Sequence, residues 1–144
     1  MKLLNRLIAI GVVMPLLGGG FWLELGSPSA SSDPKARGAV VVARFIGCHE
    51  PEKAVLTGTA EEVVQGKRQT VILSPVALST PGLYAIARTW PAEGRWVLKL
   101  EGRYAPMSIV TSTLVNVTGD SYERKGAVMK PGVADADAIE AMLR

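Results

Sequence analysis

The chain holds one cysteine and one histidine in 144 residues, and those two shortages exclude more chemistry than any motif admits. A structural zinc site takes four ligands drawn mostly from Cys and His, which this chain cannot supply alone. A Ser-His-Asp or Cys-His relay has only His49 to use as its base. A single thiol closes no internal disulfide, so Cys48 is buried, free and reactive, or joined to another chain. A phosphate-cradling Gly loop, a G-x-S-x-G nucleophile turn and a C-x-x-C pair are missing as well. Charge of one sign is scarce: 16 Lys and Arg against 13 Asp and Glu leave a net +3. The cations are scattered among acids, with Arg124-Lys125 only a pair, so no nucleic-acid partner is expected. Aromatic residues make up 6% of the chain, and so the few present stand out as core or recognition side chains.

What the chain does have is apolar material, 48% against 20% charged residues, enough to fill a core in one domain. Residues 1–32 read as a signal peptide. Lys2 and Arg6 make a positive start, positions 7–23 form an apolar run, and Ser27, Ser29, Ala30, Ser31 and Ser32 supply small residues for a peptidase. Left uncleaved, the run over 7–23 is about as long as a short membrane span and would act as an N-terminal anchor, the chain's only membrane contact. No Cys closely follows the run, so a lipid anchor is not expected. Residues 33–38 follow as a flexible lead-in.

From residue 39 to 130 the pattern is that of strands. Ala39–Ile46 (AVVVARFI) is β-branched and apolar on both faces except at Arg44, which suits a strand inside a sheet. Ala54–Val64 alternates, with Gly58 marking a bulge or a close backbone approach. Gln65-Gly66-Lys67 is a turn, 68–74 a further strand, 107–118 a long one, and 122–129 a short edge strand. Most distinctive is TPGLYAIARTWPAEGRWVLKL, residues 80–100. Pro81-Gly82 and Pro91-Ala92-Glu93-Gly94 are turn signals, and Trp96, Leu98 and Leu100 alternate with Arg95, Lys99 and Glu101. Two strands across a short Gly-containing turn predict a central β-hairpin. In the tail, 131–144, Ile139, Met142 and Leu143 recur at helical spacing, and Asp137 with Glu140 resembles a capping box. The expected fold is therefore all-β, a two-layer antiparallel immunoglobulin-like β-sandwich of six to seven strands, with an N-terminal signal helix and a short C-terminal helix.

Gly47-Cys48-His49-Glu50 is the one unusual local cluster. Cys48 is a small buried hydrophobe, or a soft-metal ligand with His49 and a thioether such as Met107 or Met129, or a point of intermolecular linkage. Glu61-Glu62 and Glu50/Glu52 are close acid pairs and read as solvated surface. Trp96 on an alternating strand reads as core, whereas Trp90, beside a turn, and Tyr104 are the candidates for an exposed binding face. Asn116-Val117-Thr118 matches a glycosylation acceptor but sits within a strand.

Gly82, Tyr84, Pro91, Gly94 and Trp96 carry a resemblance. This stretch resembles the central hairpin of small exported immunoglobulin-like or transthyretin-like β-sandwich proteins. It is also similar to the YtkA/FixH-like group of bacterial envelope domains, where a G-x-Y strand precedes a P-x-x-G-x-W strand. The resemblance implies a bacterial envelope location; with the export signal, the expected protein is periplasmic or extracellular, with a protein partner in the cell envelope. It also implies, as an alternative, a copper carrier or assembly factor using Cys48 and His49. The primary expectation is a noncatalytic binding or accessory domain without a cofactor.

Overall fold

The computed structural model describes residues 20–144. Most of the expected leader, residues 1–19, lies outside the described residues. Ten strands are present: β1 (Trp22–Gly26), β2 (Ala39–Ile46), β3 (Ala54–Val64), β4 (Lys67–Ile72), β5 (Val76–Ala77), β6 (Leu83–Ala87), β7 (Arg95–Tyr104), β8 (Ile109–Thr118), β9 (Ser121–Tyr122) and β10 (Val128–Pro131); one helix, α1 (Ala136–Leu143), closes the chain. They form two antiparallel sheets. The smaller runs β1-β2-β6-β5; the larger runs β10-β8-β7-β3-β4, with β9 paired to the end of β8.

One buried cluster joins the sheets. The smaller sheet contributes Leu23, Val41, Phe45 and Ile86, and the larger contributes Leu56, Trp96, Leu98, Leu100 and Val115. The alternation read in 95–101 places its apolar face here, and β2, apolar on both faces, lies between two neighbours as its composition predicts. A second apolar group lies on the outer face of the larger sheet. There Ile139 of α1 is buried against Val97 and Leu114, with Met142 and Leu143 packed beside it. The Asp135 side chain caps this helix, accepting from Ala138 N at 2.8 Å, two residues before the cap expected at Asp137.

Several turns follow directly from sequence. Gln65 and Gly66, with φ of 50° and 75°, join β3 to β4; two successive positive φ values match the twist of a tight hairpin. Gly58 is a close approach and not a bulge. The β3–β7 register runs through it unbroken, and a Cβ there would lie 2.7 Å from the Lys99 carbonyl oxygen.

Three expectations need correction. The predicted hairpin over 83–100 does not form. β6 belongs to the smaller sheet and β7 to the larger, so residues 88–94 cross between layers. The Pro91 and Gly94 turn chemistry bends this crossover without pairing the strands it connects.

The leader boundary expected at residue 32 also meets a different arrangement. Residues 22–26 pair with β2 from Trp22↔Ile46 to Gly26↔Val42, and Phe21, Leu23 and Leu25 are buried in the common core. Their alternation inside an apolar run is that of a strand with one face on the core.

Nor are residues 33–38 a loose lead-in. Pro34–Ala36 is a 3-10 turn capped by Asp33, and Ala36 is buried. The Asp33 carboxylate accepts from Ser79 N at 2.6 Å and from Lys35 N at 2.9 Å. Those bonds, the Ser79 one foremost, lower its pKa to about 2.

Candidate functional site

β2 ends at Ile46 in a loop that turns on Gly47, whose φ is 84°. A side chain at Gly47 would collide with the Gly20 carbonyl, so the loop and the start of β1 are in close contact. The loop lies at an aromatic group built by both sheets. The Phe21 and Phe45 rings stack at 5.1 Å, Tyr104 lies 5.7 Å from Phe21, and Tyr84 meets Phe45 edge-on at 5.9 Å. Tyr104 OH accepts from Glu50 N at 3.3 Å, and Tyr84 OH donates to the Ala54 carbonyl at 2.8 Å. These two hydroxyls hold the middle of the loop and the first residue of β3.

Cys48 is half-buried and packs against this core, while His49 is exposed. Desolvation pushes the Cys48 thiol above its ordinary pKa, and the Glu52 carboxylate pushes the same way. Both effects disfavour the thiolate, which is the nucleophile and the metal ligand. Among the described residues no group of three or more His, Cys, Asp or Glu side chains comes together to hold a metal ion. Met107 and Met129 are each 60% exposed, the first in the turn after β7 and the second on β10. Alkylation of Cys48 at neutral pH is expected to run severalfold slower in the folded protein than in denaturant. Intact-mass measurement of the modified fraction against time checks this; equal rates would show an accessible, ordinary thiol.

The two aromatic binding candidates are core residues. Trp90 is 1% exposed and Tyr104 3% exposed. Trp90 sits in the crossover and donates from its indole N–H to the Gly119 carbonyl at 3.3 Å; Arg88 holds the Trp90 carbonyl at 2.9 Å and Asp120 at 2.9 Å. Its proximity to a turn in sequence suggested exposure, but β8 and the turn after it supply a cover that comes from thirty residues away. Trp96 is core as expected, with its indole N–H on the Glu93 carbonyl at 3.0 Å.

Glu61 is likewise not solvated surface. It is 7% exposed on the outer face of the larger sheet, where Thr59 donates to it at 3.5 Å and Arg68 lies at 3.9 Å. Arg68 continues to the Ala136 carbonyl and Glu140 of α1, at 3.4 and 3.5 Å. Asn116 is 8% exposed. With its amide turned to satisfy both neighbours, it donates to the Met142 carbonyl at 3.1 Å and accepts from Arg95 at 3.0 Å, so Asn116 of the glycosylation triplet lies under α1 in the folded protein.

Sequence reasoning passed over the edge of the larger sheet at β4. β4 pairs only with β3, and five of its six residues are exposed. Ile72 at its end is 79% exposed, and Val63 and Val64 near the hairpin tip are exposed at 46% and 36%. Exposed apolar side chains beside an unpaired strand edge were marked in the sequence only by the β-branched content of 68–74. No family model, curated protein or solved structure matches the chain.

Proposed function

We propose that this chain is an exported β-sandwich of the immunoglobulin-like kind, acting as a noncatalytic binding or accessory domain of the cell envelope through a protein partner. The sandwich reading is supported by two antiparallel sheets sharing one core. The observation that carries the binding role is the β4 edge. An unpaired strand offers a row of backbone N–H and C=O groups to an extended segment of a partner, and neighbouring pockets or apolar side chains give selectivity. Here Ile72, Val63 and Val64 provide the apolar contacts. Copper carriage is the weaker reading: it is supported only by the adjacency of Cys48 and His49, with no third ligand beside them among the described residues. The hairpin that carried the envelope-domain resemblance is a crossover, so the proposed location rests on the export signal read in the sequence.

A photo-crosslinking residue placed at Ile72 in cells should trap one discrete protein adduct. The same residue at Arg103, exposed at the far end of the same sheet face, should trap none. Equal yields at both positions, or no protein adduct at Ile72, would remove the edge-strand reading.

A further inference from the structure

The opposite border of the larger sheet carries a different feature. β10 is its last strand there, and β1 is the outer strand of the smaller sheet on the same side; β1 packs against both β8 and β10. Two cavities lie along this seam. One, of about 520 Å³, is lined by Phe21, Trp22, Thr111, Met129 and Pro131, with Lys130. The other, of about 250 Å³, is lined by Leu23, Leu25, Ala127 and Thr113, with Arg124 and Glu24. Trp22 and Met129 line both, so the two are neighbours across these side chains along one seam with apolar walls.

Thr113 distinguishes this seam from a gap between strands. It is 1% exposed, and its hydroxyl is the one buried side-chain nitrogen or oxygen without a hydrogen-bond partner among the described residues. Native interiors rarely keep a buried hydroxyl unpaired, because its lost hydration is then replaced by nothing. It shares the smaller cavity with Arg124, which makes no ion pair among the described residues. The acid in that cavity, Glu24, is already held by Arg44 at 3.1 Å. An uncommitted cation in a cavity whose wall holds an unpaired hydroxyl suits a small anionic group, and the neighbouring larger cavity suits an alkyl chain.

We propose that the β1–β10 seam binds a single-chain anionic amphiphile, a fatty carboxylate or a similar alkyl anion. Its head lies between Thr113 and Arg124, and its tail runs past Trp22 and Met129 toward Phe21 and Pro131. The site is separate from the β4 edge, which bounds the far side of the larger sheet, so either can fail without the other.

The test is titration of the full chain with decanoate below its micelle concentration, read by tryptophan fluorescence and by the methyl resonance of Met129. Saturable one-to-one binding is expected, with the fluorescence change lost in Trp22→Phe because Trp90 and Trp96 are buried elsewhere. Arg124→Glu should weaken binding about tenfold, and Thr113→Val, which keeps size and removes the hydroxyl, by severalfold. Both are expected to stay folded, the first because Arg124 is exposed, the second because it removes an unpaired buried group. Decyltrimethylammonium, with the opposite head charge, should not compete. Absence of saturable binding overturns the proposal, as does equal binding of the cationic amphiphile or an unchanged affinity in Arg124→Glu. Vesicles containing phosphatidylglycerol form the second arm. Sedimentation with vesicles while free decanoate leaves Trp22 and Met129 unmoved would show a membrane-surface contact and overturn the single-chain site.

Discussion

A chain beginning at Asp33 is expected to lose its cooperative unfolding transition, whereas one beginning at Gly20 keeps it. The difference is residues 20–32, which carry β1. Removing them takes Phe21, Leu23 and Leu25 out of the core. At about 1.5–3 kcal/mol for each fully buried side chain, the loss is about 5–9 kcal/mol. A domain of this size has only about 5–15 kcal/mol in total. The same cut strips β2 of one of its two neighbours and exposes an edge rich in Val. Circular dichroism of the two truncations on heating decides the matter; a cooperative transition in the Asp33 chain would mean that β1 is dispensable. The same geometry bears on export. If a leader is removed, the cut is expected before Phe21 and not among Ser27 to Ser32, and the intact mass of the exported protein reports it.

Trp90→Ala is expected to destabilise the protein by about 3–5 kcal/mol, the range for deleting a buried large aromatic. The substitution leaves a void where the crossover meets the core and orphans the Gly119 carbonyl that accepts the indole N–H. Trp90→Phe should cost less, since it keeps most of the volume and loses the hydrogen bond. Ile72→Ala, on the exposed edge, is expected within about 0.5 kcal/mol of the parent. Urea unfolding of the three variants separates the two roles sharply. A Trp90→Ala protein as stable as its parent would return Trp90 to the surface and with it the binding role read from sequence.

The legible parts of this fold were those whose cause is local. β2, β3 and the alternating start of β7 follow from side-chain period and β-branched content. The Gln65-Gly66 turn follows from glycine's access to positive φ, and α1 from the spacing of Ile139, Met142 and Leu143. What escaped depends on distant residues. A Pro-Ala-Glu-Gly segment between two apolar runs looks the same whether the runs pair or separate into different layers, so the crossover over 88–94 read as a hairpin turn. Phe21 to Leu25 has a composition that serves a leader or a strand equally well, and only β2 beside it decides for the strand. Trp90 and Glu61 read as exposed because their covers, Gly119 and α1, lie far along the chain. At the candidate sites the pattern is the same. Cys48 and His49 were conspicuous through rarity alone, and nothing local marks Thr113 as unpaired or Ile72 as the end of an open edge.

The contact of β1 with β8 and β10 joins the beginning of the described chain to strands near its finish. During synthesis β1 can pair with β2 as soon as both have emerged, yet the seam along its other side stays open until β10 is made. Closing so long a loop is entropically costly, and all-β proteins rich in such distant pairings fold in about milliseconds to seconds. The polypeptide therefore has no early route to its finished core, and its last stage of folding is expected only once β10 is available to close the seam.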